Sequence, residues 1–160
     1  ALGFAINHPE AVRSLILCGV NYHIDEKFRR TIEEERGKPS FRHLIELWRK
    51  EHSTIYGDEH WLNLMDEINR ELSSWNGFAQ KDLSRIRCPT LICIGDRDEY
   101  VSLSQALDLY RCIEDAGLFV APYSTHMWIQ TKPRLFREVA INFLTSIAMK
   151  KGGDGGPTCP

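Results

Sequence analysis

The stretch Ile86-Arg87-Cys88-Pro89-Thr90-Leu91-Ile92-Cys93-Ile94-Gly95-Asp96-Arg97-Asp98-Glu99-Tyr100-Val101-Ser102 decides the fold of this chain. Leu91 to Ile94 is apolar without alternation and stops at a glycine. A strand with one wet face alternates apolar and polar residues, whereas a continuous run suits a strand buried on both faces, as in a parallel sheet. The predicted strand runs from Pro89 to Gly95. It empties into a turn holding Asp96, Asp98 and Glu99, and Ser102-Leu103-Ser104-Gln105 then fits a capping box. The following helix carries Ala106, Leu107, Leu109, Tyr110 and Ile113 on its inner side, with Gly117 as its expected stop.

The same pattern recurs on either side. Upstream, Ala1 to Asn7 reads as the end of a helix, punctuated by His8-Pro9-Glu10, because proline disfavours helix in the residue before it. Leu15 to Cys18 is a second continuous apolar run, closed by Gly19. Downstream, Leu118 to Ala121 is a third short strand. Pro133 fits the first turn of a last helix, whose stripe is Leu135, Phe136, Val139, Ala140, Phe143, Leu144 and Ile147. Strand, helical block, strand, helix, strand, helix implies about three parallel strands with right-handed crossovers, an α/β fold. The strand Leu15 to Cys18 has no partner in this chain on its outer side, and a bare apolar edge invites aggregation. Further strands from an N-terminal half of the same fold are therefore expected.

Residues 25–83 differ in character, being richly charged and patterned for helices. Ser40 is a candidate N-cap for a helix placing Phe41, Leu44, Ile45, Leu47 and Trp48 on one side. Asp58 is the candidate cap of the next, with Trp61, Leu62, Leu64, Met65, Ile68 and Leu72 at helical spacing. Trp48, Trp61 and Trp75 read as packing for this block. The expected organisation is thus core at 1–24, a helical insertion at 25–83 and core again at 84–149. The glycine- and proline-rich tail at 150–160 is expected to be disordered.

Composition narrows the function classes. Apolar residues make up 42% and charged residues 26%, and the formal net charge is −2, so no basic field attracts nucleic acid or an anionic membrane. No apolar run approaches the roughly 18 residues that cross a bilayer. The five cysteines (Cys18, Cys88, Cys93, Cys112 and Cys159) are odd in number and form no CxxC pair. That argues against a disulfide framework or a zinc site and favours a reducing, cytoplasmic setting.

Chemistry is sought beyond the carboxyl ends of the strands, where open α/β sheets bind ligands. The Asp96–Glu99 turn, taken alone, is as well explained by the turn preferences of Asp and Gly. The loop Pro122-Tyr123-Ser124-Thr125-His126-Met127-Trp128 holds a lone histidine, which by itself is ordinarily a surface residue. The pairing changes the reading, because Asp98 and His126 leave neighbouring predicted strands at the same sheet edge. An Asp there accepts the Nδ1–H of the histidine, fixes its tautomer and leaves Nε2 free as a base. His8 reads as solvent-facing, His23 as a weaker site candidate, and His43, His52 and His60 as surface groups without metal-ligand spacing. Trp128 reads as a packing group or a substrate contact.

From Ala1 to about Ile147 the chain resembles the C-terminal portion of the α/β-hydrolase fold superfamily. "ALGFAINHPEAVRSLILCG" resembles the helix after the nucleophile elbow and the next strand. "IRCPTLICIGDRDEYVS" resembles the acid-bearing strand and turn, with the acid three residues past the glycine, which selects Asp98 over Asp96. "YSTHMWIQTKPRLFREVAINFL" resembles the histidine loop and terminal helix, with Thr125 where glycine is frequent. The helical block matches the family's cap, or lid. The resemblance implies a hydrolase of small esters, amides or related acyl compounds, with Asp98 and His126 as catalytic residues and no metal or cofactor. No G-x-S-x-G occurs in the sequence, so the nucleophile is expected before residue 1, and this chain alone is expected to be inactive. An Asp nucleophile, giving a haloalkane or epoxide hydrolase, and a non-catalytic or truncated member stay open beside the serine hydrolase.

Overall fold

The computed structural model describes residues 1–152. In chain order the elements are α1 (Leu2–Asn7), a 3₁₀ turn (Pro9–Ala11), β1 (Leu15–Cys18), α2 (Glu26–Arg36), α3 (Pro39–Tyr56), α4 (Asp58–Ser74) and α5 (Gln80–Leu83). They continue with β2 (Thr90–Gly95), α6 (Leu103–Cys112), β3 (Ala116–Ala121), α7 (Trp128–Thr131) and α8 (Pro133–Gly152). The chain divides into two compact units: Ala1–Tyr22 together with the chain from Ala79, and His23–Phe78.

The first unit is a three-stranded parallel sheet in the order β1-β2-β3. β2 is central and every residue in it is buried, which is why its sequence shows no alternation. The register sets Cys18 beside Cys93 and Gly95 beside Ala121. The loops after all three strands therefore leave at one edge. On one face Leu91, Cys93, Ala121 and Trp128 form a cluster against which Phe119, Phe136, Val139 and Phe143 pack. Trp128 is 1% exposed, so it belongs to this core. α6, with Ala106, Leu109 and Ile113 buried, packs on β2 and β3. Ser102 caps α6 by accepting from the Gln105 amide. The Gln105 side chain is buried and tethers the segment after β1, accepting from the Tyr22 amide at 3.1 Å and donating to Asn21 at 2.9 Å.

The second unit is wholly helical. Asp25 caps α2 through the Phe28 amide at 2.8 Å. α3 and α4 form a hairpin in which Trp61 is buried and lies 5.5 Å from the His52 ring. Trp48 is exposed and Trp75 half-buried, so of the three tryptophans assigned to packing only Trp61 is enclosed. Arg49 bridges Glu46 and Asp58 on the surface, where such pairs add little stability.

Several boundaries differ from those expected. α3 begins at Pro39 rather than after Ser40, because a proline's fixed φ and missing N–H suit the first turn. Gly57, at φ +86°, separates α3 from α4, and Asp58 is the first residue of α4 instead of its cap. α6 stops at Cys112, so Gly117 lies within β3 and stops no helix. α5 belongs with the sheet unit, where Leu83 and Ile86 are fully buried, so the helical unit closes at Phe78. α8 runs to Gly152, into the stretch expected to be disordered, and the remainder of that stretch lies outside the described residues. Among the described residues no helix is long and apolar enough to cross a membrane.

Candidate active site

β2 and β3 stay hydrogen-bonded beyond their last strand residues. The Asp96 amide donates to the Ala121 carbonyl at 3.0 Å and the Arg97 amide to the Ser124 carbonyl at 2.9 Å. The turn after β2 and the loop after β3 therefore run side by side. Gly95 makes this approach feasible. A Cβ there would stand 2.6 Å from the Thr125 carbonyl oxygen and nearer still to that of Ser124.

This brings Asp98 and His126, 28 residues apart in sequence, into contact. Nδ1 of His126 lies 3.0 Å from Oδ2 and 3.1 Å from Oδ1 of Asp98. The Asp98 side chain is 1% exposed and that of His126 31%. A buried carboxylate must have its lone pairs satisfied. Besides the imidazole, Oδ1 accepts from the amides of Tyr100 (2.9 Å) and Val101 (2.8 Å), and these bonds close the turn that aims the acid. The Tyr100 ring meets the imidazole edge-on at 5.0 Å. From the end of β1, Gly19, at φ +57°, presses its backbone against the pair. A Cβ on it would stand 2.9 Å from His126 Cε1 and 3.2 Å from Asp98 Oδ2.

The histidine loop has little secondary structure of its own and is held by side chains. The Asp96 carboxylate accepts from the Ser124 amide at 2.9 Å. That bond, with one from Tyr123, holds Asp96 below the usual carboxylate range. Lys132 donates to the Pro122 carbonyl (2.7 Å), the Tyr123 carbonyl (3.2 Å) and Ser124 Oγ (2.7 Å). Tyr123 sits at φ +50°, with the Arg97 guanidinium 4.4 Å from its ring centroid. Ser102 and Ser104 bond one another, and Ser124 is engaged by Pro122 and Lys132. His8 is an exposed residue against Phe4, and His23 opens the helical unit. Cys18, Cys88, Cys93 and Cys112 are free thiols, and Cys159 lies outside the described residues. Among the described residues no three His, Cys, Asp or Glu side chains gather to hold a metal ion.

The hydrogen bond to Asp98, with the charges of Asp98 and Glu99, raises the His126 pKa against the opposing effect of burial. A group with a raised folded pKa contributes stability that is full below its unfolded value and lost as pH rises through the folded one. The melting temperature of the native protein is therefore expected to exceed that of His126→Gln most between about pH 5 and 6, and the gap to narrow at higher pH. A gap that widens with pH would show the assigned sign to be wrong.

No family model matches the chain. In sequence it is 24% identical over 165 residues to RutD of Caulobacter sp. (strain K31), a protein named as a carbamate hydrolase, covering 92% of this chain and 62% of that one. In structure it is similar to CumD, a meta-cleavage product hydrolase of Pseudomonas fluorescens IP01, with TM-score 0.69 and 20% identity over 91% of this chain and 60% of that one. It is likewise similar to MGS-M2, an α/β hydrolase from a Medee basin deep-sea metagenome library, with TM-score 0.62 and 19% identity over 90% and 60%. The chain carries the C-terminal portion of an α/β-hydrolase fold. It spans about three-fifths of the length of these relatives.

Within this α/β-hydrolase fold, Asp98 and His126 were legible in the sequence as a pair, and the structure brings them together. Asp96, Glu99 and Lys132 were not recognised as parts of the loop's support. They bond backbone atoms of a distant or irregular segment, which leaves no periodic signal. The steric demand on Gly19 and Gly95 likewise exists only once the loops are packed.

Proposed function

We propose that the whole protein is a hydrolase acting on a small ester, amide or related acyl substrate through Ser-His-Asp catalysis. The supporting observation is the exposed-edge imidazole whose Nδ1 faces a buried, fully hydrogen-bonded carboxylate at 3.0 Å. In that arrangement Asp98 holds the proton on Nδ1, and Nε2 takes the proton of a nucleophile and later returns it to the leaving group. The serine is supplied by sequence preceding residue 1, together with the amides that stabilise the oxyanion. The names of RutD and CumD accord with hydrolysis. The helical unit His23–Phe78 stands, in this proposal, for the cap that shapes the substrate pocket.

Labelling of the intact protein with a fluorophosphonate tests the reading. One serine upstream of Ala1 is expected to react, and His126→Ala is expected to abolish the reaction while the protein stays folded. A label on no serine, with an aspartyl ester trapped from a haloalkane or epoxide instead, would move the enzyme to the Asp-nucleophile branch. Replacing residues 25–83 with another member's insertion should keep the serine reactive and change acyl preference. Unchanged preference would remove the cap's assigned role.

A further inference from the structure

We propose that Glu99 is a positioning residue for His126, its carboxylate anchoring the backbone amide of the residue whose ring Asp98 orients. Oε2 of Glu99 accepts from the His126 amide at 3.0 Å, across 27 residues of sequence. A bond from an amide to a carboxylate is charge-assisted and stronger than one to a neutral acceptor. The peptide it holds lies between the end of β3 at Ala121 and the start of α7 at Trp128, past the last strand-like bond, from Arg97 N to Ser124 O.

The turn after β2 thus divides its three carboxylates among three atoms of the histidine loop. Asp96 takes the Ser124 amide, Asp98 the His126 ring and Glu99 the His126 amide. A ring held at Nδ1 alone could still swing about that bond and carry Nε2 out of line. Anchoring the amide removes that freedom. Asp98, Glu99 and Tyr100 of the same turn face the imidazole, and Gly19, which follows β1, brings backbone and no charge against it. The charge of Glu99 accordingly adds to that of Asp98 in favouring the imidazolium. This role gains its catalytic meaning from the hydrolase reading, but its test needs no turnover.

The test uses two variants of the intact protein and nuclear magnetic resonance. Glu99→Ala removes the acceptor and the charge, and the His126 amide is expected to exchange about tenfold faster relative to the Ile92 amide in β2. Glu99→Gln keeps an acceptor for the amide and removes the charge. There the exchange ratio is expected to stay close to native while the imidazole titration moves to lower pH. Since the neutral imidazole is the base, the acid limb of kcat/KM should move the same way in an active enzyme. A native exchange ratio in Glu99→Ala, or an unmoved titration in Glu99→Gln, would overturn the proposal. Absence of hydrolysis or of serine labelling would sink the functional reading and leave these two measurements to decide the role of Glu99 alone.

Discussion

Replacing Asp98 by asparagine in the intact protein is expected to lower kcat by about 10⁴ with the fold retained. The two Asp98 oxygens have different duties. Oδ1 accepts from the amides of Tyr100 and Val101, and Oδ2 lies nearest Nδ1 of His126. Asparagine can keep its carbonyl oxygen on the two amides, so the turn stays closed. Its NH₂ group then faces Nδ1 and donates to it. The proton moves to Nε2, the nitrogen that acts as the base in the proposed mechanism, and the imidazolium of that mechanism loses its counter-charge. Steady-state kinetics with circular dichroism checks the split between activity and fold. Aspartate to alanine would blur it, because the buried Val101 amide and the part-buried Tyr100 amide would lose their acceptor. An Asp98→Asn enzyme within tenfold of native kcat would mean that His126 works without the carboxylate.

The parts of this site that the sequence disclosed share one property: their signal is local. Leu91 to Ile94 is apolar because β2 is covered on both faces, and any strand so placed carries the same mark. The acid turn follows from where that strand ends. Gly57 breaks the helical pattern in the sequence and separates α3 from α4 in the structure, but Ser40 and Asp58 are good caps in isolation, while Pro39 and the positive φ of Gly57 set the first helical residues earlier. Gly117 was misplaced for a related reason. A glycine after an amphipathic run reads as a helix stop, and nothing local told that α6 had already ended at Cys112. The supports of the histidine loop are non-local altogether. Asp96 and Glu99 act on amides 28 and 27 residues away, so their roles depend on a register that only the folded sheet supplies.

Gly95→Ala is expected to destabilise the fold and dismantle the histidine loop together. Gly95 is the last residue of β2 and pairs with Ala121. Its backbone angles are open to any residue, so the demand is for space and not for conformational freedom. The added Cβ would meet the Thr125 carbonyl oxygen at 2.6 Å and the Ser124 carbonyl carbon at 2.7 Å, with the Ser124 oxygen closest. All three are backbone atoms of the histidine loop, and no side chain can turn aside to make room. The loop must lift, and it takes with it the bonds from Arg97 N to Ser124 O, Ser124 N to Asp96 and His126 N to Glu99. Over-packing of this kind costs about 1–3 kcal/mol, with the lost charge-assisted bonds in addition. Gly117→Ala is the internal control: its Cβ would stand 3.8 Å from Leu91 Cδ1, an ordinary contact, and a strand prefers alanine to glycine. Urea unfolding should therefore place Gly95→Ala well below native stability and Gly117→Ala within about 0.5 kcal/mol of it. Hydrolysis should collapse in the first and persist in the second. Equal midpoints for the two variants would mean that the loop after β3 yields without cost, and that its closeness to Asp98 owes nothing to the glycine.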